Sequence, residues 1–188
     1  LAGADQEIAD LANSAGIPIV GPQTQFPLSA AQLNRSVFYL FPGLREEAIA
    51  FLKFVGGPGK QNEGRLAAVS PADVLPKTVP EGVLEAARKE GLQPVPAVSY
   101  RSGTPEASRL GPDLKAAGVR VVLFHGSPED LTAFVDGVVA ADWHPEVLLW
   151  GAPVNMSVFN AAARLDRGLF LTYPVLPSDQ TPAGSQEI

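Results

Sequence analysis

A regular alternation of apolar runs and amphipathic segments between residues 65 and 176 constrains the fold most strongly. Four strand–helix pairs follow one another, and a fifth apolar run closes the series. The runs are almost continuously apolar, as expected of strands that are covered on both faces. Strands alternating with helices at this spacing predict an α/β fold built on a doubly wound parallel sheet. The predicted strands are RLAAVS, QPVPAVSY, VRVVLF, EVLLW and GLFLTYPVL.

Turn and capping residues support this alternation. Ser127 and Pro128 stand where an N-cap and a first helical residue are expected, after the third strand. Pro94 and Pro96 favour an edge position for the second strand, because proline has no backbone N–H to donate to a neighbouring strand. Gly111-Pro112 is expected to break or restart the helix that precedes the third strand.

Five parallel strands suggest the order 2-1-3-4-5, with a switch point between the first and third strands. Ligands in such sheets bind outside the carboxyl ends of the strands at that point. The loops there begin at 70–73 and 125–127, and the fourth strand ends at the same edge. For each residue a structural role stays open beside ligand contact: a strand cap, a solvated carboxylate or core packing. The candidates are Ser70, Asp73, His125, Gly126, Ser127 and Trp150.

The remaining segments define the predicted domain organisation. Residues 65–176 form a five-stranded lobe, and residues 1–57 predict a helix, two short strands and a second helix. That is too little for an independent sheet, so we expect residues 1–57 to be the C-terminal part of another α/β lobe. Residues 58–64 are expected to be a linker, and residues 177–188 a tail leading to a missing return crossing.

Composition excludes several classes of function. The net charge of −6 disfavours nucleic acid as a partner. The absence of cysteine excludes disulfides and thiolate metal sites, and two histidines are too few for a histidine-based metal site. A carboxylate-only metal site stays open, although no calcium-loop pattern occurs, and the lack of a Gly-x-Gly-x-x-Gly fingerprint disfavours a dinucleotide. We expect no metal and no cofactor. No apolar run is long enough to span a bilayer, and no signal peptide is recognisable in this sequence.

His125 ends an apolar strand and precedes glycine, an arrangement that also occurs in hydrolases. A hydrolase of the α/β type would need a Gly-x-Ser-x-Gly turn, and no serine here has glycine at both of these flanking positions. The segment GGPGKQ lacks the hydroxyl residue and the first glycine of a phosphate loop, and it precedes a strand. Neither motif therefore supports an enzyme.

The ordered succession of segments resembles the solute-binding proteins of ABC importers, in the branched-chain amino-acid (Leu/Ile/Val-binding) family. The similar segments include IADLANSAGIPIVGPQTQFPLS, VFYLFPGLREEAIAFLKFV, GRLAAVSPADV, VSYRSGTPEASRLGPDLKAAGVRVVLFHGSPEDL and EVLLWGAPVN. The resemblance implies the type I periplasmic binding fold, one complete lobe with a remnant of a second, an interlobe ligand cleft and a periplasmic location. SVFYLF would be the first crossing strand.

The resemblance also places the family's ligand contacts on this sequence. They fall at Gln23, Thr24 and Gln25 in lobe one, and near Leu75, Gly126 and Pro153 in lobe two. Amino-acid binders of the family tend to carry tyrosines and a carboxylate at the lobe-two positions. Their absence here argues against a free α-amino acid, since an unpaired ammonium group is costly to bury. A less charged or more apolar solute is expected.

Our leading hypothesis is a non-enzymatic solute-binding protein that delivers a small molecule to an ABC permease. The alternatives are a ligand-sensing domain of a receptor or regulator and, third, a small α/β hydrolase. Self-association through uncovered apolar surface is a further expectation for a shortened chain.

Overall fold

The predicted alternation of strands and helices is present in the computed structural model, which describes residues 5–21, 35–40, 42–56, 65–75, 78–150, 156–166 and 168–172. The chain divides into two units, with the boundary between Glu47 and Ala48 and the second unit ending at Thr172. The helices are α1 (Asp5–Ala15), α2 (Leu44–Val55), α3 (Thr78–Lys89), α4 (Glu106–Ala116), α5 (Pro128–Ala140) and α6 (Met156–Arg164). The strands are β1 (Ile19–Val20), β2 (Val37–Phe38), β3 (Arg65–Pro71), β4 (Gln93–Pro94), β5 (Val98–Tyr100), β6 (Val119–Phe124), β7 (Glu146–Leu149) and β8 (Leu169–Leu171).

The second unit contains one parallel sheet. Its order is β4-β3-β6-β7-β8, and β5 also pairs with β3. The strands β4 and β5 are two pieces of the second predicted strand, which is interrupted around Pro96 and lies at the edge. The predicted order 2-1-3-4-5 and the edge position of the second strand are therefore confirmed.

The two faces of this sheet carry different layers of helices. One face presents Val69, Phe124 and Leu149 to an apolar cluster whose helical members come from α4, α5 and α6. The Phe124 ring stacks on Phe134 of α5 with ring centroids 4.9 Å apart. On the other face α3 packs against β3. Burial on both faces explains why the strands are almost continuously apolar.

Helix α2 confirms the face that the sequence pattern predicts. All five predicted inward residues are buried: Leu44, Ala48, Phe51, Leu52 and Val55. At the end of the helix, the Phe54 ring lies 5.5 Å from the ring of Phe170 in β8. This contact ties the part of α2 beyond Ala48 to the five-stranded unit.

Helix α1 buries a different face from the predicted one. The pattern predicts as inward residues Ile8, Leu11, Ala12 and Ala15. Leu11 is instead 69% exposed, and the buried residues are Ala9 and Ala12, which pack with Val37 of β2. The packed face is therefore formed by the small side chains of Ala9 and Ala12, and Leu11 and Ala15 are exposed.

The expectation that Gly111-Pro112 breaks the fourth helix is wrong. Helix α4 runs through Pro112 without interruption, because its extensive packing against α5 stabilises the helix despite the loss of one hydrogen bond. Proline has no N–H to donate to the carbonyl of Ser108. That carbonyl lies directly over Gly137 of α5, where a Cβ would overlap it.

The described helices are also short. None of them has the length and apolarity that a bilayer crossing requires.

The contact at Gly137 generates a stability prediction. Helix propensity alone would make Gly137→Ala stabilising by about 1 kcal/mol. We expect the opposite, a loss of about 1–3 kcal/mol, because the added methyl group must push α4 and α5 apart. Denaturant unfolding of the variant measures this, with the exposed Val139→Ala on the same helix as the control. A raised midpoint for Gly137→Ala would contradict the account of the helix contact.

Candidate functional site

The carboxyl ends of three neighbouring strands bring predicted site residues into one row. Val69, Phe124 and Leu149 are partners in the ladders of β3, β6 and β7. The ladder then continues by one residue: His125 N–H donates to the Val69 carbonyl at 2.9 Å, and Trp150 N–H donates to the Phe124 carbonyl at 3.0 Å. Ser70, His125 and Trp150 therefore follow one another across the sheet edge. We call these three residues the edge row.

The edge row lies on the face of the sheet opposite the large apolar cluster. Side chains alternate along a strand, and Val69, Phe124 and Leu149 belong to that cluster. Ser99 of β5 pairs with Ser70 and so extends the row to the outer strand. Ser99 was missed by sequence reasoning. Its place depends on the register between β5 and β3, which no motif in the sequence marks.

His125 is held by its ring and by its backbone. The ring Nδ1 lies 2.8 Å from the carbonyl oxygen of Trp150, and the two rings meet edge to face with centroids 5.8 Å apart. Since a carbonyl oxygen only accepts, Nδ1 carries the proton in this arrangement. Burial lowers the pKa of His125, and the bond to Trp150 opposes that effect only in part. The ring is therefore neutral, with an unprotonated Nε2.

The other members of the edge row are buried as well. Ser70 is 4% exposed and His125 is 7% exposed. Trp150 is fully buried, so its indole packs inside the protein and offers no open stacking surface in this structure. The burial of Trp150 therefore agrees with core packing, one of the two roles that the sequence left open for it.

Asp73 and Leu75 lie in the turn that follows β3. Asp73 is exposed, whereas Leu75 is buried and apolar. The start of this turn is fixed to the neighbouring strand, because Ala72 N–H donates to the Tyr100 carbonyl at 2.9 Å. The turn thus places a carboxylate at the same sheet edge as the row.

Gly126 has no room for a side chain. A Cβ at this position would overlap the hydroxyl of Tyr100, which donates to the carbonyl of His125 at 3.1 Å. Burial, followed by the nearby charge of Asp130, raises the pKa of Tyr100, so the phenol keeps its proton. Gly126 can therefore touch a solute only through its backbone.

Ser127 caps α5 and works together with Asp130. The Ser127 hydroxyl accepts from Asp130 N–H at 3.1 Å, and the Asp130 carboxylate accepts from Ser127 N–H at 3.2 Å, which forms a capping box. The N-cap role of Ser127 is confirmed. Asp130 does not match the usual capping-box pattern, which has glutamate or glutamine three residues after the N-cap.

Asp130 connects this turn to the loop that follows β5. The buried carboxylate also accepts from the Ser102 hydroxyl at 2.6 Å and from Gly103 N–H at 2.9 Å. Burial alone would raise the pKa of Asp130. The bonds from Ser102, Gly103 and Ser127 outweigh it and hold the pKa below its usual value.

Several predicted contacts lie outside the described residues: Gln23, Thr24, Gln25 and Pro153. Within the described ranges, no group of three histidine, aspartate or glutamate side chains is arranged to hold a metal ion.

Two grooves lie elsewhere on the second unit. One of about 230 Å³ lies between α5 and α6 beside Arg164, and one of about 290 Å³ lies between α2 and β8 beside Phe54 and Phe170.

The Asp130 network generates a pH prediction. A carboxyl group with a depressed folded-state pKa contributes stability above its unfolded pKa near 4 and loses it as the pH falls. We expect Asp130→Asn to cost about 1–3 kcal/mol at pH 7, because buried donors lose their charged acceptor. The loss should shrink at pH 3, because the carboxyl group of the unfolded chain is then largely protonated and the stability contributed by the native carboxylate is falling. Urea unfolding at both pH values measures this, with the exposed Asp113→Asn in α4 as the control. An equal loss at both pH values would contradict the prediction.

The chain matches a known protein family and resembles several solved structures. A family model described as periplasmic binding protein matches residues 2–187. A substrate-binding protein of an ABC transporter from Aeropyrum pernix has a TM-score of 0.68 and 20% identity, over 92% of this chain and 45% of its own. A branched-chain amino-acid ABC transporter protein from Thermus thermophilus, solved with bound valine, has a TM-score of 0.67 and 18% identity, over 88% of this chain and 42% of its own.

A third structure extends the same pattern. A leucine-binding protein from Thermotoga maritima has a TM-score of 0.59 and 16% identity, over 77% of this chain and 40% of its own. The chain thus spans less than half the length of these three proteins. No curated protein sequence matches the chain. At these identities the solved structures show the fold alone, and the family model, which matches nearly the whole chain, shows that it belongs to the periplasmic binding protein family.

Proposed function

We propose that the chain is part of a solute-binding protein that acts outside the cytoplasm and delivers a small molecule to an ABC permease. The solute binds at the carboxyl edge of the five-stranded sheet, against the edge row and the turn after β3. The edge row carries this proposal, because it gathers predicted site residues from separate strands at one sheet edge. Ligands of open α/β sheets bind outside this edge at the switch point.

The proposed binding site includes both polar and apolar residues. Ser70, His125 and Asp73 supply polar groups, while Leu75 supplies apolar surface, which is the usual make-up of a small-molecule site. Gly126 and Ser127 contribute backbone at the start of α5. Trp150 acts from behind, by holding the His125 ring. From the family resemblance, we expect further solute contacts from Gln23, Thr24, Gln25 and Pro153.

The geometry of His125 supports binding rather than catalysis. In a catalytic triad, the Nδ1–H of the histidine donates to a buried carboxylate that stabilises the protonated ring. Here Nδ1 faces the Trp150 carbonyl, and burial keeps the ring neutral. The arrangement is suited to presenting a fixed hydrogen-bonding group to a solute.

The named relatives bear on the class of solute. The Thermus protein was solved with valine and the Thermotoga protein is named for leucine. In this chain Leu75 and Gly126 stand where the resemblance leads us to expect tyrosines. Because a Cβ at Gly126 would overlap the Tyr100 hydroxyl, that aromatic contact could not form without rearrangement. We therefore propose that the solute is a small molecule that carries less charge than a free α-amino acid.

A thermal-shift screen of the full-length protein against a broad solute panel tests the proposed function. A solute present at 100 times its Kd should raise the free energy of unfolding by about 2.7 kcal/mol. Among the hits, His125→Ala and Asp73→Ala should each weaken affinity by about threefold to tenfold, as expected for a lost hydrogen bond. Glu146→Ala removes a carboxylate at the opposite end of β7 and should leave affinity unchanged. Unchanged affinity in both site variants, each still unfolding cooperatively, would refute the site.

A further inference from the structure

Two buried polar groups on neighbouring strands lack hydrogen-bond partners among the described residues. The Ser70 hydroxyl is one and Nε2 of His125 is the other, and both residues are more than nine-tenths buried. Buried polar atoms are otherwise almost always paired, since an unpaired one costs about 1–3 kcal/mol. Adjacent strands lie about 4.8 Å apart, so a single small group could contact both residues.

The chemistry of each group restricts what can pair with it. Nδ1 of His125 donates to the Trp150 carbonyl, which leaves Nε2 as an acceptor only. The incoming group must therefore donate to Nε2. The Ser70 hydroxyl can donate in return, so the complementary group carries a donor and an acceptor close together.

The charges around the edge row restrict the solute further. An ammonium group would need a buried carboxylate. Asp130 lies in the first turn of α5 and already accepts from Ser102, Gly103 and Ser127. Asp73 is exposed in its turn. An anion would need a donor at Nε2, which requires a second proton on the ring, and burial opposes that protonation.

We infer that the part of the solute that reaches the edge row is an uncharged group with a donor next to an acceptor, a hydroxyl or a carboxamide. Its O–H or N–H donates to Nε2 of His125, and its oxygen accepts from the Ser70 hydroxyl. The inference rests on the proposed function and specifies the solute class of the same site.

A series of headgroups on one branched apolar tail tests this in the full-length protein. The probes are isovaleramide, 3-methylbutan-1-ol, N,N-dimethylisovaleramide, isovalerate and 3-methylbutylammonium, measured by calorimetry at neutral pH. We expect the amide or the alcohol to bind at least tenfold more tightly than the other three. Equal binding across the series, or no binding, overturns the inference, whereas the proposed function is decided by the broad solute panel.

Two histidine variants separate the roles of the ring nitrogens. His125→Asn keeps a donor near the Nδ1 position for the Trp150 carbonyl but removes the acceptor at Nε2. His125→Gln keeps an acceptor near Nε2. We expect His125→Asn to abolish the preference for isovaleramide over its dimethyl derivative, and His125→Gln and the native protein to retain it. A preference that survives in His125→Asn overturns the role of Nε2.

Nitrogen NMR of His125 provides a readout that is independent of affinity. We expect the free protein to show a protonated Nδ1 and an unprotonated Nε2. Addition of isovaleramide should shift the Nε2 resonance towards its hydrogen-bonded position, and Ser70→Ala should reduce the affinity without changing the tautomer. A protonated Nε2 in the free protein at neutral pH overturns the inference.

Discussion

The parallel register of β3, β6 and β7 is the constraint on which the edge row depends. Two backbone hydrogen bonds, from His125 N–H to the Val69 carbonyl and from Trp150 N–H to the Phe124 carbonyl, continue that register by one residue beyond β6 and β7. Side chains alternate between the faces of a sheet, so a shift of one residue would move Ser70 or His125 into the layer of α4, α5 and α6. The register of the backbone pairing therefore decides which side chains form the edge row.

The structure behind the row keeps the turn after β6 in place. Tyr100 donates to the carbonyl of His125, and Asp130 joins the start of α5 to the loop after β5. The close approach of α4 to Gly137 then fixes α5 against its neighbour. These contacts lie on the face of the sheet opposite the row, so they can hold the His125 backbone without occupying the space a solute would need.

Much of the fold was predictable because apolar runs and caps are local signals. The strand VRVVLF, the N-cap at Ser127 and the inward face of α2 each follow from a few neighbouring residues. The exceptions depend on contacts between distant segments. Pro112 lies inside a helix that packs closely against Gly137 of α5, and Leu11 is exposed while Ala9 and Ala12 pack with Val37 of β2. Residue spacing within one helix carries no information about either neighbour.

The arrangement of the candidate site was predictable to the level of the sheet edge. The switch-point rule led to Ser70 and His125, but the tautomer of His125 depends on the carbonyl of Trp150, 25 residues away. Ser99 and Asp130 were missed for the same reason, since register and loop contacts bring them into place. A ligand contact at any of the candidate positions remains a prediction, and Gln23, Thr24, Gln25 and Pro153 also lie outside the described residues.

A crystal structure of the full-length protein with a bound solute from the thermal-shift panel tests the central claim most directly. We predict a donor atom of the solute within hydrogen-bond distance of Nε2 of His125, with Nδ1 still bonded to the Trp150 carbonyl. A solute bound away from this sheet edge, such as in the groove between α5 and α6, with the edge row unchanged, would contradict the account.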